Sequence, residues 1–224
     1  MASMAERIRM DLLYRLRWDL LADLHDIQIV VDTPNEGRPF VFNDSLAASV
    51  GESTGFGPTN HMPQERRIPL FDHSSAEEDL AVPGLSRIEV CSSECLDKYD
   101  LSYDQIPESD GYQPPPSLII ENKDGKSITL RQFVTQAHAY LNEHMDEINR
   151  ALRATSIYGK QVDGATSLFF RRVWASGTDD NGIRLSVSLI PEGGWEDMDR
   201  FWAAPLNQAR LRERSCGRCY RGFS

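Results

Sequence analysis

Ile8, Leu12, Leu13, Leu16, Leu20, Leu24 and Ile27 recur at three- and four-residue steps, which on a helix places them in one stripe. Arg7, Arg15, Asp19, Asp23 and Asp26 lie largely off it. The pattern predicts an amphipathic N-terminal helix within residues 1 to 31. Its stripe needs cover, either from the protein's own core or from a partner helix in a dimer. Gln28-Ile29-Val30-Val31 reads as a short strand. Arg38-Pro39-Phe40-Val41-Phe42 reads as a second one, held to a sheet edge by Pro39.

Residues 117 to 204 carry the clearest alternation of patterns. Leu118-Ile119-Ile120 predicts a strand, and Asn122-Lys123-Asp124-Gly125 a hairpin turn leading to a return at Ser127-Ile128. Thr129 and Gln132 have capping-box spacing. They open a long helix whose buried stripe is Leu130, Phe133, Val134, Ala137, Leu141, Met145, Ile148 and Leu152. In Leu168-Phe169-Phe170-Arg171-Arg172-Val173-Trp174 both faces are apolar, which predicts a central strand. Its hairpin partner alternates Ile183, Leu185, Val187 and Leu189 with Arg184, Ser186 and Ser188, across a turn with Asn181-Gly182 at its positive-φ positions. A short helix with Trp195, Met198, Phe201 and Trp202 on one side follows.

Between these regions, residues 32 to 116 show little periodicity. Glycines and prolines, ending in Pro114-Pro115-Pro116, interrupt every apolar run, and Ser75 with Glu78 marks one local helix start. The segment reads as an irregular, acidic, partly disordered insertion, with the prolines as a stiff lead-in to the core. The expected fold is α+β: a small antiparallel sheet packed by two long helices, one domain with this insertion. A tail from residue 205 to 224 completes the chain.

The run from Pro114 through Ser117-Leu118, Ile128-Thr129-Leu130-Arg131-Gln132-Phe133-Val134 and His138-Ala139-Tyr140-Leu141 resembles a family of small uncharacterised proteins of filamentous fungi. The resemblance rests on fold-forming positions. It implies no activity and carries no functional residue onto this chain.

Charge sharpens the partition. The net charge is −10, and residues 72 to 124 hold 13 Asp or Glu against Arg87, Lys98 and Lys123. The tail is basic, with Arg210, Arg212, Arg214, Arg218 and Arg221 against Glu213. An acidic middle argues against nucleic acid as a general partner. No run of about 18 apolar residues is present, so no transmembrane helix is expected. Residues 5 to 26 lack the apolar core of a signal peptide. The expectation is an intracellular protein, cytoplasmic or nuclear, in a reducing compartment where cysteines are free thiols or metal ligands.

Four cysteines stand in two close pairs, Cys91-Ser92-Ser93-Glu94-Cys95 and Cys216-Gly217-Arg218-Cys219. Two thiolates from each of two turns could complete a tetrahedral structural zinc site. Free thiols, or a redox dithiol at Cys216 and Cys219, are the other readings. His138 and His144 lie six residues apart, off a shared helix face, and are poor co-ligands. Asp72-His73-Ser74 is not a triad, because consecutive side chains diverge. The glycine-rich run from Gly51 to Gly57 lacks the lysine of a phosphate loop. Trp174, Trp195 and Trp202, with Arg171 and Arg172, form the candidate ligand or partner surface, suited to an acidic partner.

With no catalytic signature, the leading expectation is a non-enzymatic interaction or regulatory module with a protein partner or self-association. A small accessory enzyme using a pocket with His138, Tyr140 or Arg172 is one alternative. A zinc-clamped scaffold is the other.

Overall fold

The computed structural model describes residues 7–31, 66–103, 112–155, 167–178 and 182–192, without the side chains of 101–103 and 155. The chain is α+β. It has a three-stranded antiparallel sheet of β1 (Leu16–Arg17), β2 (Gln28–Val31) and β3 (Arg66–Pro69) in that order. A second, four-stranded sheet comprises β4 (Arg87–Ser92), β5 (Leu118–Glu121), β6 (Leu168–Gly177) and β7 (Ile183–Pro191), in the order β5-β4-β7-β6. This sheet is mixed: β4 runs parallel to β7, and the other pairs are antiparallel. The helices are α1 (Met10–Leu13), α2 (Ser93–Tyr103), α3 (Leu130–Glu143) and α4 (Met145–Thr155).

The predicted N-terminal helix is not formed. Its stripe is buried as expected, with Ile8, Leu12, Leu13, Leu16, Leu20 and Ile27 all under 5% exposed. The backbone, however, spends its hydrogen bonds on distant partners. Arg9 N–H donates to Leu80 O, Val30 N–H to Arg15 O, Leu20 N–H to Leu168 O and Phe170 N–H to Trp18 O. Among the described residues of this segment the helical pieces are short, chiefly the single turn of α1 and a 3-10 turn at Leu24–Asp26 capped by the Asp23 carboxylate. Long-range pairing has overridden local propensity.

The segment expected to be irregular supplies a central strand. In β4, Ile88 and Val90 face the core while Arg87 and Glu89 alternate with them, and α2 follows directly. The turn at Asn122–Gly125 is real, with Gly125 at φ +74° and its N–H bonded to Asn122 O. Yet the chain beyond it does not return along β5. Ile128 N–H donates to Leu85 O, and β5 pairs with β4, Ile120 opposite Ile88.

The long helix expected from Thr129 is two helices. Thr129 Oγ1 caps α3 by accepting from Gln132 N–H, while the Gln132 amide turns to Asn122. The helix breaks at His144 (φ −100°, ψ 16°), and α4 packs against α2. At the other predicted start, Ser75 donates to Glu78 within a 3-10 turn, Ser74–Glu77, rather than an α-helix.

The β6–β7 hairpin forms as expected, but β7 is the interior strand and β6 the edge. Residues 18 to 20 pair along the outer edge of the first half of β6. Asp19 bridges Phe169, and the Trp18 ring stacks on Phe170 with centroids 5.4 Å apart. One hydrophobic cluster joins the N-terminal segment, β4, β5, β6, β7, α3 and α4, with Trp18, Phe133 and Phe170 its largest fully buried members. The predicted strand at residues 38 to 42, the glycine-rich run and the aromatic helix after Pro191 lie outside the described residues.

Candidate functional site

Two places combine unusual chemistry with defined geometry. The first is the junction where β4 ends and α2 begins. Ser92 caps the helix: its Oγ accepts from Cys95 N–H at 3.3 Å and donates to Glu94 Oε2 at 3.0 Å. Glu94, only 5% exposed, also accepts from Ser188 Oγ at 3.1 Å and from Leu189 N–H at 2.7 Å. A buried carboxyl with three donors thereby ties the first turn of α2 to β7. Burial pushes its pKa above the ordinary carboxyl value, and the hydrogen bonds from Leu189, Ser92 and Ser188 oppose this.

Beside this junction lies a cavity of about 260 Å³. Its wall includes Cys91, Ser92, Cys95, Tyr140 from α3, Arg184 from β7 and the proline run ahead of β5. Cys91 stands opposite Ser186 in the parallel β4–β7 pair, with its Sγ 3.4 Å from Ser186 Oγ and 3.9 Å from Leu185 O. Arg184 reaches back to Glu89, its Nε and an η-nitrogen lying 3.2 and 3.1 Å from one carboxylate oxygen. Burial pushes both thiols upward, and pushes the Tyr140 phenol upward as well. At neutral pH Cys91 and Cys95 are therefore protonated, without the electropositive setting that makes a nucleophilic thiolate.

The second place is β6. Phe170 faces Leu189 and Arg172 faces Ser188, so Arg171 is an extra residue in a β-bulge. The bulge resets the alternation. Leu168 and Phe170 are buried before it and Val173 after it, so two successive arginines fit a strand that still buries one face. The Arg172 guanidinium lies 4.1 Å from the centroid of the Trp174 ring, and that ring is 52% exposed. Desolvation first, and then Arg171, disfavour the charge on Arg172. Its Nε is buried without a hydrogen-bond partner among the described residues. Trp195 and Trp202, expected to share this surface, lie outside the described residues.

His138, His73 and His144 are structurally engaged. His138 Nδ1 accepts from Trp18 Nε1 at 3.0 Å, its Nε2 lies 3.2 Å from the Asn142 amide, and burial lowers its pKa. His73 Nδ1 accepts from Ser75 N–H. His144 packs edge-on to Tyr140 at 4.7 Å. Of His138, Tyr140 and Arg172, only Tyr140 lines the cavity, so the three do not converge there.

Of the four cysteines, the structure brings Cys91 and Cys95 to one cavity, while Cys216 and Cys219 lie outside the described residues. Among the described residues, no group of three or more His, Cys, Asp or Glu is placed to hold a metal ion. Sequence reasoning missed Glu94, Ser188 and Trp18. Ser92 followed by an acidic residue, Glu94, in the first turn is a helix-start signal that could have exposed the junction, whereas nothing local marks Ser188 as its partner. No helix among the described residues is long and apolar enough to cross a membrane. No protein-family model matches the sequence, and searches of curated proteins and of solved structures return no match.

Proposed function

We propose that the protein is a non-enzymatic, intracellular interaction or regulatory module that engages an acidic segment of a protein partner through β6. The observation that carries this reading is the Arg172–Trp174 pair. A half-exposed indole under a guanidinium, with a second arginine beside it, offers an apolar face and cationic groups in one place. The local balance favours an anionic partner, because burial and Arg171 both disfavour the Arg172 charge and an incoming carboxylate would relieve that. A self-association through the N-terminal stripe is not part of this reading, since those leucines are consumed by the protein's own core.

The test is quantitative affinity capture from extract of the source cells. It compares the wild-type chain with Arg171→Glu/Arg172→Glu and with Trp174→Ala, each checked for unchanged circular dichroism. The expected result is a protein retained by the wild type and lost from both variants, with capture weakening as salt rises. Identical capture by all three chains would rule the surface out.

A further inference from the structure

Hydrogen bonds alternate along an antiparallel pair, so every second residue of an edge strand turns its N–H and C=O away from its neighbour. On β6 the turn sets the phase. Thr178 N–H donates to Gly182 O, which directs the backbone of Ser176, Trp174 and Arg172 toward β7. Val173, Ala175 and Gly177 then face the outer edge. Before the bulge the outward positions are Leu168 and Phe170, and residues 18 to 20 occupy them: Leu20 N–H donates to Leu168 O, and Phe170 N–H to Trp18 O. Beyond the bulge, the outward groups of Ala175 and Gly177 meet no hydrogen-bond partner among the described residues. Gly177 is exposed and Ala175 half-buried, whereas Val173 is buried.

We infer that the partner's acidic segment binds here as an added β-strand, pairing with the backbone of Ala175 and Gly177. The inference rests on the reading of β6 as an acidic-partner surface and supplies its binding mode.

Two features favour this occupant. The same edge accepts extended chain in its first half, where residues 18 to 20 pair with it. The side chains beside its open half suit an acidic strand. Trp174, Arg172 and Ser176 alternate with the buried Val173 and the half-buried Ala175, and so project from the other face. A strand laid along the edge puts every second side chain on that face, beside its counterpart on β6. The residue opposite Trp174 meets an indole that is 52% exposed, which favours a β-branched or aromatic side chain. Two places along, the residue opposite Arg172 meets a guanidinium, which favours a carboxylate. Backbone bonds supply affinity, and these two facing positions supply selectivity.

The probe is the peptide Thr-Glu-Thr-Val-Thr-Glu-Thr, blocked at both ends. It reads the same in both directions, so it can set valine against Trp174 and glutamate against Arg172 in either strand orientation. Added to the full chain, it should slow hydrogen exchange of the Ala175 and Gly177 amides, as followed by nuclear magnetic resonance. The same peptide N-methylated at every residue keeps its charges but loses its backbone donors, and should protect neither amide. Ala175→Pro removes an outward N–H without taking a bond from the β6–β7 ladder. With circular dichroism unchanged, it should abolish binding; should it unfold the chain, the N-methylated peptide still decides the matter on the wild type. Equal protection by the N-methylated peptide, or none by the parent peptide, overturns the inference. So do Ala175 and Gly177 amides that already exchange slowly in the free chain, since the chain itself would then cover the edge. Capture from extract separates this inference from the reading beneath it. A protein lost from Arg171→Glu/Arg172→Glu but retained by Ala175→Pro overturns the added strand and keeps the acidic partner. Equal capture by all chains removes both.

Discussion

The indole N–H of Trp18 donates to Nδ1 of His138 at 3.0 Å, joining an extended N-terminal segment to the middle of α3. Trp18 is 1% exposed, and its ring also stacks on Phe170 of β6. One side chain thus connects three parts of the fold. The bond has a chemical consequence, because an indole can only donate and so requires an unprotonated Nδ1.

Acidification should weaken the fold through His138. Its folded-state pKa is lowered, mainly by burial, from an ordinary value of 6.5. The unfolded chain therefore binds more protons in the window below 6.5, and stability falls as pH drops through it. Denaturant unfolding at pH 7.5 and 5.5 should show this loss, and His138→Gln should flatten the dependence. An unchanged slope in the variant would show that His138 does not carry it. Trp18→Ala should cost about 3–5 kcal/mol, as removal of a buried aromatic does.

Glu94 should produce the opposite pH trend. Its folded-state pKa is raised from an ordinary value of 4.5, so the folded chain binds more protons than the unfolded one above that value. Its contribution is fully present below 4.5 and declines as pH rises through the folded pKa. Glu94→Gln keeps an acceptor for Ser188 and Leu189 and removes the ionisation. Wild type minus variant, measured by denaturant unfolding from pH 4.5 upward, should therefore reveal this decline. Glu94→Ala leaves the Leu189 N–H and two hydroxyls without their acceptor and should cost about 3 kcal/mol.

Leu16 and Leu20 should report on folding and not on assembly. Both are fully buried, at 0% and 1% exposure. Leu16→Ala should cost about 2–5 kcal/mol, read from the denaturation midpoint. Light scattering should show the folded fraction in the same oligomeric state as wild type. A dissociated but stable variant would mean that the stripe belongs to an interface after all.

Arg171 should be dispensable to the buried face of β6. Arg171→Ala keeps the bulge and should change stability by less than about 1 kcal/mol. Deleting Arg171 removes the bulge but keeps Phe170 opposite Leu189, Arg172 opposite Ser188 and Val173 opposite Val187, so the same residues stay buried. The deletion variant should therefore still fold, at a cost below about 3 kcal/mol read from the denaturation midpoint. A deletion variant that fails to fold would contradict this account of the strand.

Much of the candidate chemistry was legible in order but not in place. The Arg171-Arg172 pair beside Trp174 was visible in the sequence. That a bulge accommodates it was not, because the bulge depends on pairing with β7. The strand pattern of β4 was also present in Arg87-Ile88-Glu89-Val90, but prolines and acidic neighbours obscured it. Cys91 and Cys95 were singled out by spacing alone, while the cavity they line is completed by Tyr140 and Arg184 from α3 and β7.

By itself, the sequence determined which positions are buried in the N-terminal stripe, the cap of α3 at Thr129 and the hairpin of β6 and β7. These follow from short-range periodicity and local hydrogen bonding. Only the tertiary structure decided how the N-terminal stripe is buried. A helix would have placed Trp18 on the face opposite those leucines, yet it is among the most deeply buried side chains. Apolar spacing reports that residues leave water. Whether they do so as a helix or as extended chain is set by which distant backbone groups complete the hydrogen bonds. Here those groups belong to Leu80, Val30, Leu168 and Phe170.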